Sequence, residues 1–181
     1  MTAEIEVKYR VLDVDALLAA LERHGIALSA PTVQDDQAYA PATWQDGDSR
    51  IGVTFARLRH QSGRCLFTTK TPVDNALACV ENETEVADPG QMHRALLAMG
   101  YRPTVRVLKT RRTGKVGDWS LCLDDLSGKG AFLEVEAVTD GEHPLVQVQD
   151  QLDQWVLGLG VRLERTGATY DEVVSRSAAS A

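Results

Sequence analysis

Residues 4–11 read Glu4-Ile5-Glu6-Val7-Lys8-Tyr9-Arg10-Val11, a strict alternation of charged and apolar side chains. Successive side chains of a strand point to opposite faces. A period of two therefore predicts one face of Glu4, Glu6, Lys8 and Arg10 and another of Ile5, Val7, Tyr9 and Val11. The apolar face requires a cover. The charged face, two carboxylates beside two cations, meets either water or other charges.

The same unit returns twice along the chain. The first Glu-x-Glu pair leads to Asp13, a helix and Gly25; Glu83 and Glu85 lead to Asp88, a helix and Gly100; Glu134 and Glu136 lead to Asp140, a helix and Gly158. Asp13 and Asp88 stand where helix N-caps are expected, and Pro89 suits a first helical position. The intervening strands carry cations at the same period. Arg57 and Arg59 share a face with Val53 and Phe55, Lys70 ends CLFTTK, and Lys109 and Arg111 share a face opposite Arg106 and Arg112. Strands are expected near 3–11, 31–40, 52–60, 64–71, 78–86, 102–113, 116–124 and 130–139, with helices near 13–24, 88–99, 143–158 and 169–175.

This order predicts an α+β fold, a many-stranded and mostly antiparallel sheet with helices packed outside it. If the helices cover the apolar faces, the charged faces meet on the far side, and a curled sheet becomes a barrel with a charged lumen. Enclosed charge is expensive unless paired, hydrated or bound to a ligand. A polyphosphate with a divalent cation satisfies both kinds of side chain: hard carboxylate oxygens hold the metal, and forked guanidinium donors hold phosphate.

With 181 residues, 44% hydrophobic and 25% charged, the chain fits one globular domain. That domain is expected over 1–175, followed by a flexible tail at 176–181. No apolar run approaches the roughly 18 residues of a membrane helix, and charges from Glu4 onward argue against a signal peptide. A net charge of −7 disfavours a nucleic-acid partner, despite the local cluster RPTVRVLKTRRTGK. Cys65, Cys79 and Cys122 are odd in number and sit in apolar stretches, which suggests buried free thiols in the cytoplasm.

Taken in order, EIEVK (Glu4, Glu6, Lys8), RLR (Arg57, Arg59), TTKTP (Lys70), ETEVADP (Glu83, Glu85), KTRR (Lys109, Arg111) and LDDLSGKGAFLEVEAV (Asp124, Glu134, Glu136) resemble the CYTH superfamily of triphosphate tunnel metalloenzymes. ATYDEVV resembles its closing helix. LDDLSGKGAFLEVE is most similar to the class IV adenylyl cyclase branch. The chain departs from that branch at Lys129, where leucine is usual, and at Gln37, where an aspartate commonly precedes the tyrosine by two.

The resemblance implies a closed eight-stranded antiparallel β-barrel forming a tunnel. It implies Mg²⁺ or Mn²⁺ on Glu4, Glu6, Asp124, Glu134 and Glu136, and a triphosphate cradled by Lys8, Arg57, Arg59, Lys70, Lys109 and Arg111. Glu83 and Glu85 would complete an acidic wall. A homodimer without membrane contact is also implied. The expected reaction converts ATP to cyclic AMP and pyrophosphate. One alternative is hydrolysis of inorganic triphosphate or an organic triphosphate such as thiamine triphosphate, for which Lys70 and Tyr39 stand where relatives prepare the water. Another is a module that binds a phosphorylated ligand without turnover. Outside these motifs, Trp44 is the candidate for stacking on a base, Trp155 belongs to a core, and His60 and Asp125 point away from the charged faces.

Overall fold

The computed structural model describes residues 3–139 and 144–178, with side chains described as far as Ser175. The chain forms two compact units, residues 1–32 with 109–167 and residues 33–108 with 168–181.

The first unit holds β1 (Ala3–Val11), α1 (Val14–Arg23), the second half of β6 (Tyr101–Val116), β7 (Trp119–Leu126), β8 (Gly130–Thr139), α3 (Leu145–Gly158) and β9 (Leu163–Thr166). Its strands follow the order β6-β7-β8-β1-β9. Of these pairings, β6–β7, β7–β8, β8–β1 and β1–β9 are antiparallel. Alternation does what the opening residues require. Ile5, Val7, Tyr9, Leu121, Leu133 and Val135 are buried on one face, and α3 packs on β1 and β8 with Val148, Leu152 and Val156 buried. Each aliphatic side chain so enclosed contributes about 1.5–3 kcal/mol. Polar ties fasten the cover: Tyr9 Oη and Arg165 Nε both donate to Asp153 Oδ1, and Gln149 Nε2 donates to the Glu6 carbonyl at 3.0 Å. Gly114 is required by close approach, since a Cβ there would meet Leu28 Cδ2 at 3.0 Å and the Ala27 carbonyl at 3.1 Å.

The second unit holds β2 (Thr32–Pro41) from Val33 onward, β3 (Phe55–Gln61), β4 (Arg64–Pro72), β5 (Ala78–Glu85), α2 (Pro89–Ala98), the first half of β6 and α4 (Tyr170–Ala178). The strand order is β5-β4-β3-β2-β6, with β2–β3, β3–β4 and β4–β5 antiparallel. Tyr39, Ala56, Leu58, Cys65 and Leu96 form its buried cluster, with Phe67, Met92 and Tyr101 against it. Leu96 and Met92 bring α2 onto that face.

The mostly antiparallel α+β class matches the expectation. Asp13 and Asp88 cap α1 and α2 through bonds of 2.9 Å from Ala16 N and Gln91 N. One detail differs: β9 follows α3 where no strand was expected. α3 ends at Gly158, where its stop was expected, with Leu159 as its C-cap before the left-handed Gly160 (φ +65°). The Asp140 expectation lies outside the described residues. Of the tail expected at 176–181, α4 takes in residues as far as Ala178, and 179–181 lie outside. Cys65, Cys79 and Cys122 are free thiols, the first two buried. No helix among the described residues is long and apolar enough to cross a membrane.

Candidate active site

In the first unit, the face opposite α3 carries the expected charges. The register sets Lys8 beside Glu134, Glu6 beside Glu136 and Arg111 beside Asp124, and Glu4 lies two residues before Glu6 on the same face. Lys8 Nζ bridges Glu6 Oε1 and Glu134 Oε1, each at 3.1 Å. Asp124, fully buried, accepts from Lys109 Nζ at 2.9 Å and Arg111 Nε at 2.7 Å. Arg111 also reaches Glu134 Oε2 at 2.5 Å. Lys8, Lys109 and Glu134 are buried as well.

The electrostatic consequences are mutual. Burial alone would push the Glu134 carboxyl up, but the charges of Lys8, Arg111 and Lys109 more than offset this and hold it well below the usual range. Burial likewise works against the Lys8 ammonium, yet Glu6 and Glu134 raise it above its ordinary value. Arg111 is raised for the same kind of reason, with Glu134 and Asp124 opposing its desolvation. Cys122, the cross-strand neighbour of Glu134, is pushed up to about 12, chiefly by burial. Glu134, Lys8 and Arg111 therefore stay charged at neutral pH, while the Cys122 thiol stays neutral.

In the second unit, Arg57, Arg59, Lys70 and Glu83 share one sheet face. Arg59 grips Asp36 with two bonds of 2.7 Å from Nε and Nη2, both side chains buried. Arg57 Nη2 donates to Thr68 Oγ1 at 3.0 Å and lies 3.5 Å from Glu83, while Thr68 Oγ1 donates to Glu83 at 2.8 Å. Lys70 pairs with Glu81. Glu85 sits at the exposed rim against Arg64, whose hydrogen bonds lower its carboxyl.

Each unit thus assembles its own share of the residues singled out in the sequence. One pair is not brought together. Tyr39 was expected to act with Lys70, but Tyr39 pairs with Ala56 whereas Lys70 pairs with Phe55, so the two face opposite sides of the sheet. Tyr39 is buried beneath α2, and its hydroxyl is 2.8 Å from His93 Nδ1. It has no place on the charged face. His60 and Asp125 are exposed and point away from the charged faces, as expected. Trp155 meets Trp119 edge-on at 6.5 Å.

Sequence reasoning missed Asp36, Glu81 and Thr68. In Gln34-Asp35-Asp36-Gln37, acids fall on both faces of β2, and only the partner strand distinguishes them: Asp35 takes Arg106 and Asp36 takes Arg59.

Among the described residues, no three acidic, histidine or cysteine side chains converge in a metal-holding arrangement; the carboxylates are interleaved with cations instead. The donor set nevertheless fits a divalent ion. Five carboxylates, Glu4, Glu6, Asp124, Glu134 and Glu136, share the first unit's face with the three cations Lys8, Lys109 and Arg111. Glu6 and Glu136 are direct cross-strand partners, a like-charge juxtaposition that Lys8 relieves at Glu6 and a divalent ion would relieve further. Hard oxygen donors favour Mg²⁺ or Mn²⁺ over softer metals.

Comparison with known proteins agrees with this geometry. Adenylate cyclase CyaB of Aeromonas hydrophila is 27% identical over 158 residues, 87% of this chain and 81% of that protein. The structure of a candidate adenylate cyclase from Vibrio parahaemolyticus superposes with a TM-score of 0.76 at 26% identity, covering 95% of this chain and 97% of that one. A candidate adenylyl cyclase from Hippeastrum, described as having a dominant triphosphatase activity, shares the fold with a TM-score of 0.61 at 17% identity over 93% and 92% of the two chains. A CYTH domain profile matches residues 2–165, and the chain belongs to the CYTH domain family.

Proposed function

We propose that this protein is a divalent-metal-dependent enzyme acting on a triphosphate, with conversion of ATP to cyclic AMP and pyrophosphate as its reaction. The observation that carries the reading is the buried lattice of Lys8, Lys109 and Arg111 with Glu6, Asp124 and Glu134. A scaffold needing only stability would do as well or better with apolar side chains there. Such a lattice suits a ligand that is both anionic and metal-bound.

Glu4, Glu6, Asp124, Glu134 and Glu136 would hold the metal, which supplies charge neutralisation on the phosphoryl oxygens. Lys8, Lys109 and Arg111 would bind phosphate oxygens on the first unit's face, as Arg57, Arg59 and Lys70 would on the second unit's. In the cyclase reaction the ribose 3′-hydroxyl attacks the α-phosphorus, the bond to the bridging oxygen breaks, and pyrophosphate leaves with the charge the cations stabilise. Positioning and electrostatic stabilisation provide most of the acceleration in phosphoryl chemistry of this kind. Glu83 and Thr68 would orient Arg57, and Asp36 would orient Arg59.

Hydrolysis of a triphosphate is the second reading, kept because the cations would grip the phosphate chain whatever it is attached to, and because the Hippeastrum protein shares the fold. The burial of Tyr39 under α2 weighs against it, since Lys70 then lacks the expected partner for preparing a water. The test is incubation with ATP, and separately with tripolyphosphate, in Mg²⁺, Mn²⁺ or chelator, followed by phosphorus NMR. Cyclic AMP with pyrophosphate, formed only with metal, is the expected result. Orthophosphate without cyclic nucleotide would replace the cyclase reading by the hydrolase. Undiminished binding of tripolyphosphate in chelator without any product would indicate a binding module.

A further inference from the structure

The register of the first unit's face sorts its charges along the strands. β1 runs from Glu4 through Glu6 and Lys8 to Arg10, and β8 sets Glu136, Glu134 and Phe132 beside the last three. On the neighbouring strands, Asp124 pairs with Phe132 and with Arg111, and Leu126 pairs with Gly130 and with Lys109. Glu4, Glu6 and Glu136 therefore mark one end of the face, and Lys109, Arg111 and Arg10 the other. Beyond Asp124, these four strands place no further carboxylate on the face. Lys8, Lys109 and Arg111 have a part in the reading above. Arg10 and the adjacent Lys129 have none.

Arg10 is built into the cationic end. Its Nη2 donates to the Lys129 carbonyl at 3.0 Å, and its guanidinium lies 5.3 Å from the centroid of the buried Phe132 ring. Gly130 makes room for it, since φ is +93° and a Cβ there would meet Arg10 Nη1 at 3.4 Å. The Lys129 amide donates to the Leu126 carbonyl at 2.9 Å and closes the β7–β8 turn that carries its ammonium. Lys8, Lys109 and Arg111 each hold a carboxylate. Glu164 stands beside Arg10 on β9, yet neither Arg10 nor Lys129 makes an ion pair among the described residues. Arg10 is exposed and Lys129 half-buried, so an anion can reach both without displacing an internal partner.

From this we infer that Arg10 and Lys129 form a further phosphate subsite, which takes a fourth phosphoryl group at the end of a chain held by Lys8, Lys109 and Arg111. Two residues along a strand span about 6.6–6.8 Å, which puts Arg10 one step past Lys8. Arg10 keeps Nε and Nη1 for phosphate oxygens, a geometry the guanidinium fork suits, and Lys129 adds a mobile point charge. Where the class IV branch usually has leucine, this chain has that second charge. The ligand class is a linear tetraphosphate, inorganic or attached to a nucleoside. The inference rests on the triphosphate reading and extends it by one phosphoryl group.

The test is calorimetric titration of the full chain in Mg²⁺, comparing linear tetrapolyphosphate with tripolyphosphate and adenosine tetraphosphate with ATP. The unsubstituted protein is expected to bind each tetraphosphate more tightly than its triphosphate counterpart. Lys129→Leu removes the ammonium and keeps the carbonyl that Arg10 holds. It is expected to lower the ratio of tetrapolyphosphate to tripolyphosphate affinity about fivefold, the size of a well-formed exposed charge pair. Arg10→Gln is expected to lower the ratio at least as far, and Lys129→Arg to preserve it, which a general disturbance of the turn would not do. A fall confined to the inorganic pair assigns the subsite to free polyphosphate. A fall in the adenosine pair as well means that it takes a terminal phosphoryl group from either source. A ratio unchanged in both Lys129→Leu and Arg10→Gln, with tripolyphosphate still bound, overturns the subsite alone. Binding of neither tripolyphosphate nor ATP to the unsubstituted protein overturns the triphosphate reading and the subsite with it.

Discussion

Asp124→Asn isolates the electrostatics of the buried lattice. The carboxylate is fully buried and accepts from two cations, Lys109 and Arg111. Asparagine keeps the shape but offers a single carbonyl oxygen, and its amide hydrogens face whichever cation is left over. Arg111 retains Glu134, so the damage falls mainly on Lys109, which is only 3% exposed. Removing one partner of a buried ion pair costs about 3–5 kcal/mol. With Arg111 still partnered, the lower figure of about 3 kcal/mol is expected. For a chain of 181 residues the unfolding entropy is roughly 0.4 kcal/mol per degree, so the melting temperature should fall by about 8 °C. The assay is thermal unfolding by circular dichroism in EDTA, which excludes any contribution of metal. An unchanged or raised melting temperature would refute the reasoning. It would mean that the carboxylate excess on the whole face, not the local pairing, governs the energy of Asp124.

In the same chelated buffer, stability should depend on acid through Glu134, whose folded-state carboxyl is held well below its ordinary value of 4.5. A depressed carboxylate stabilises fully above its unfolded value and loses that contribution as pH falls, so the melting temperature should drop below about pH 4.5, and an acid limb no shallower in Glu134→Gln would contradict this assignment. Tyr39→Phe should cost about 1 kcal/mol by losing the bond to His93 while leaving metal-dependent turnover within twofold; a fall beyond tenfold would return the tyrosine to the chemistry. Asp124→Asn should also bind tripolyphosphate more tightly than the unsubstituted protein in chelator, because Lys109 and Arg111 each lose the Asp124 carboxylate, Arg111 keeping only Glu134. Weaker binding in a calorimetric titration would place those cations outside the phosphate site.

The opening alternation was enough to separate the two faces of β1, because a period of two leaves no other assignment for Ile5, Val7 and Tyr9 once a helix must cover them. Helix starts were equally legible, since Asp13 and Asp88 make local bonds that need nothing from the rest of the chain. Pairing was not. Which carboxylate answers which cation depends on strand neighbours and register, and neither is written in a single strand. Thus Arg59 was visible and Asp36 was not, and Lys70 was visible while Glu81 was not. Tyr39 illustrates the same limit from the other side. Its place in the motif pointed to Lys70, but position along β2 set its face, and that face belongs to α2.

Register also explains how a face so densely charged can exist before any ligand arrives. Each buried cation already has a carboxylate, so the folded protein carries its desolvated ions in pairs. The arrangement is not neutral, however: on the first unit's face the carboxylates outnumber the cations, and Glu6 and Glu136 stand side by side. A divalent ion drawn to that excess would compete with Lys8, Lys109 and Arg111 for the same oxygens. Every oxygen it takes weakens a cation's hold on its partner and frees donors for phosphate. Metal and triphosphate would then favour each other's binding through exchange of partners rather than through movement of the backbone, and by linkage the coupling must be reciprocal. On this view the internal salt bridges stand in for the ligand, which accounts for pairing that is geometrically complete yet poorly suited to stability alone.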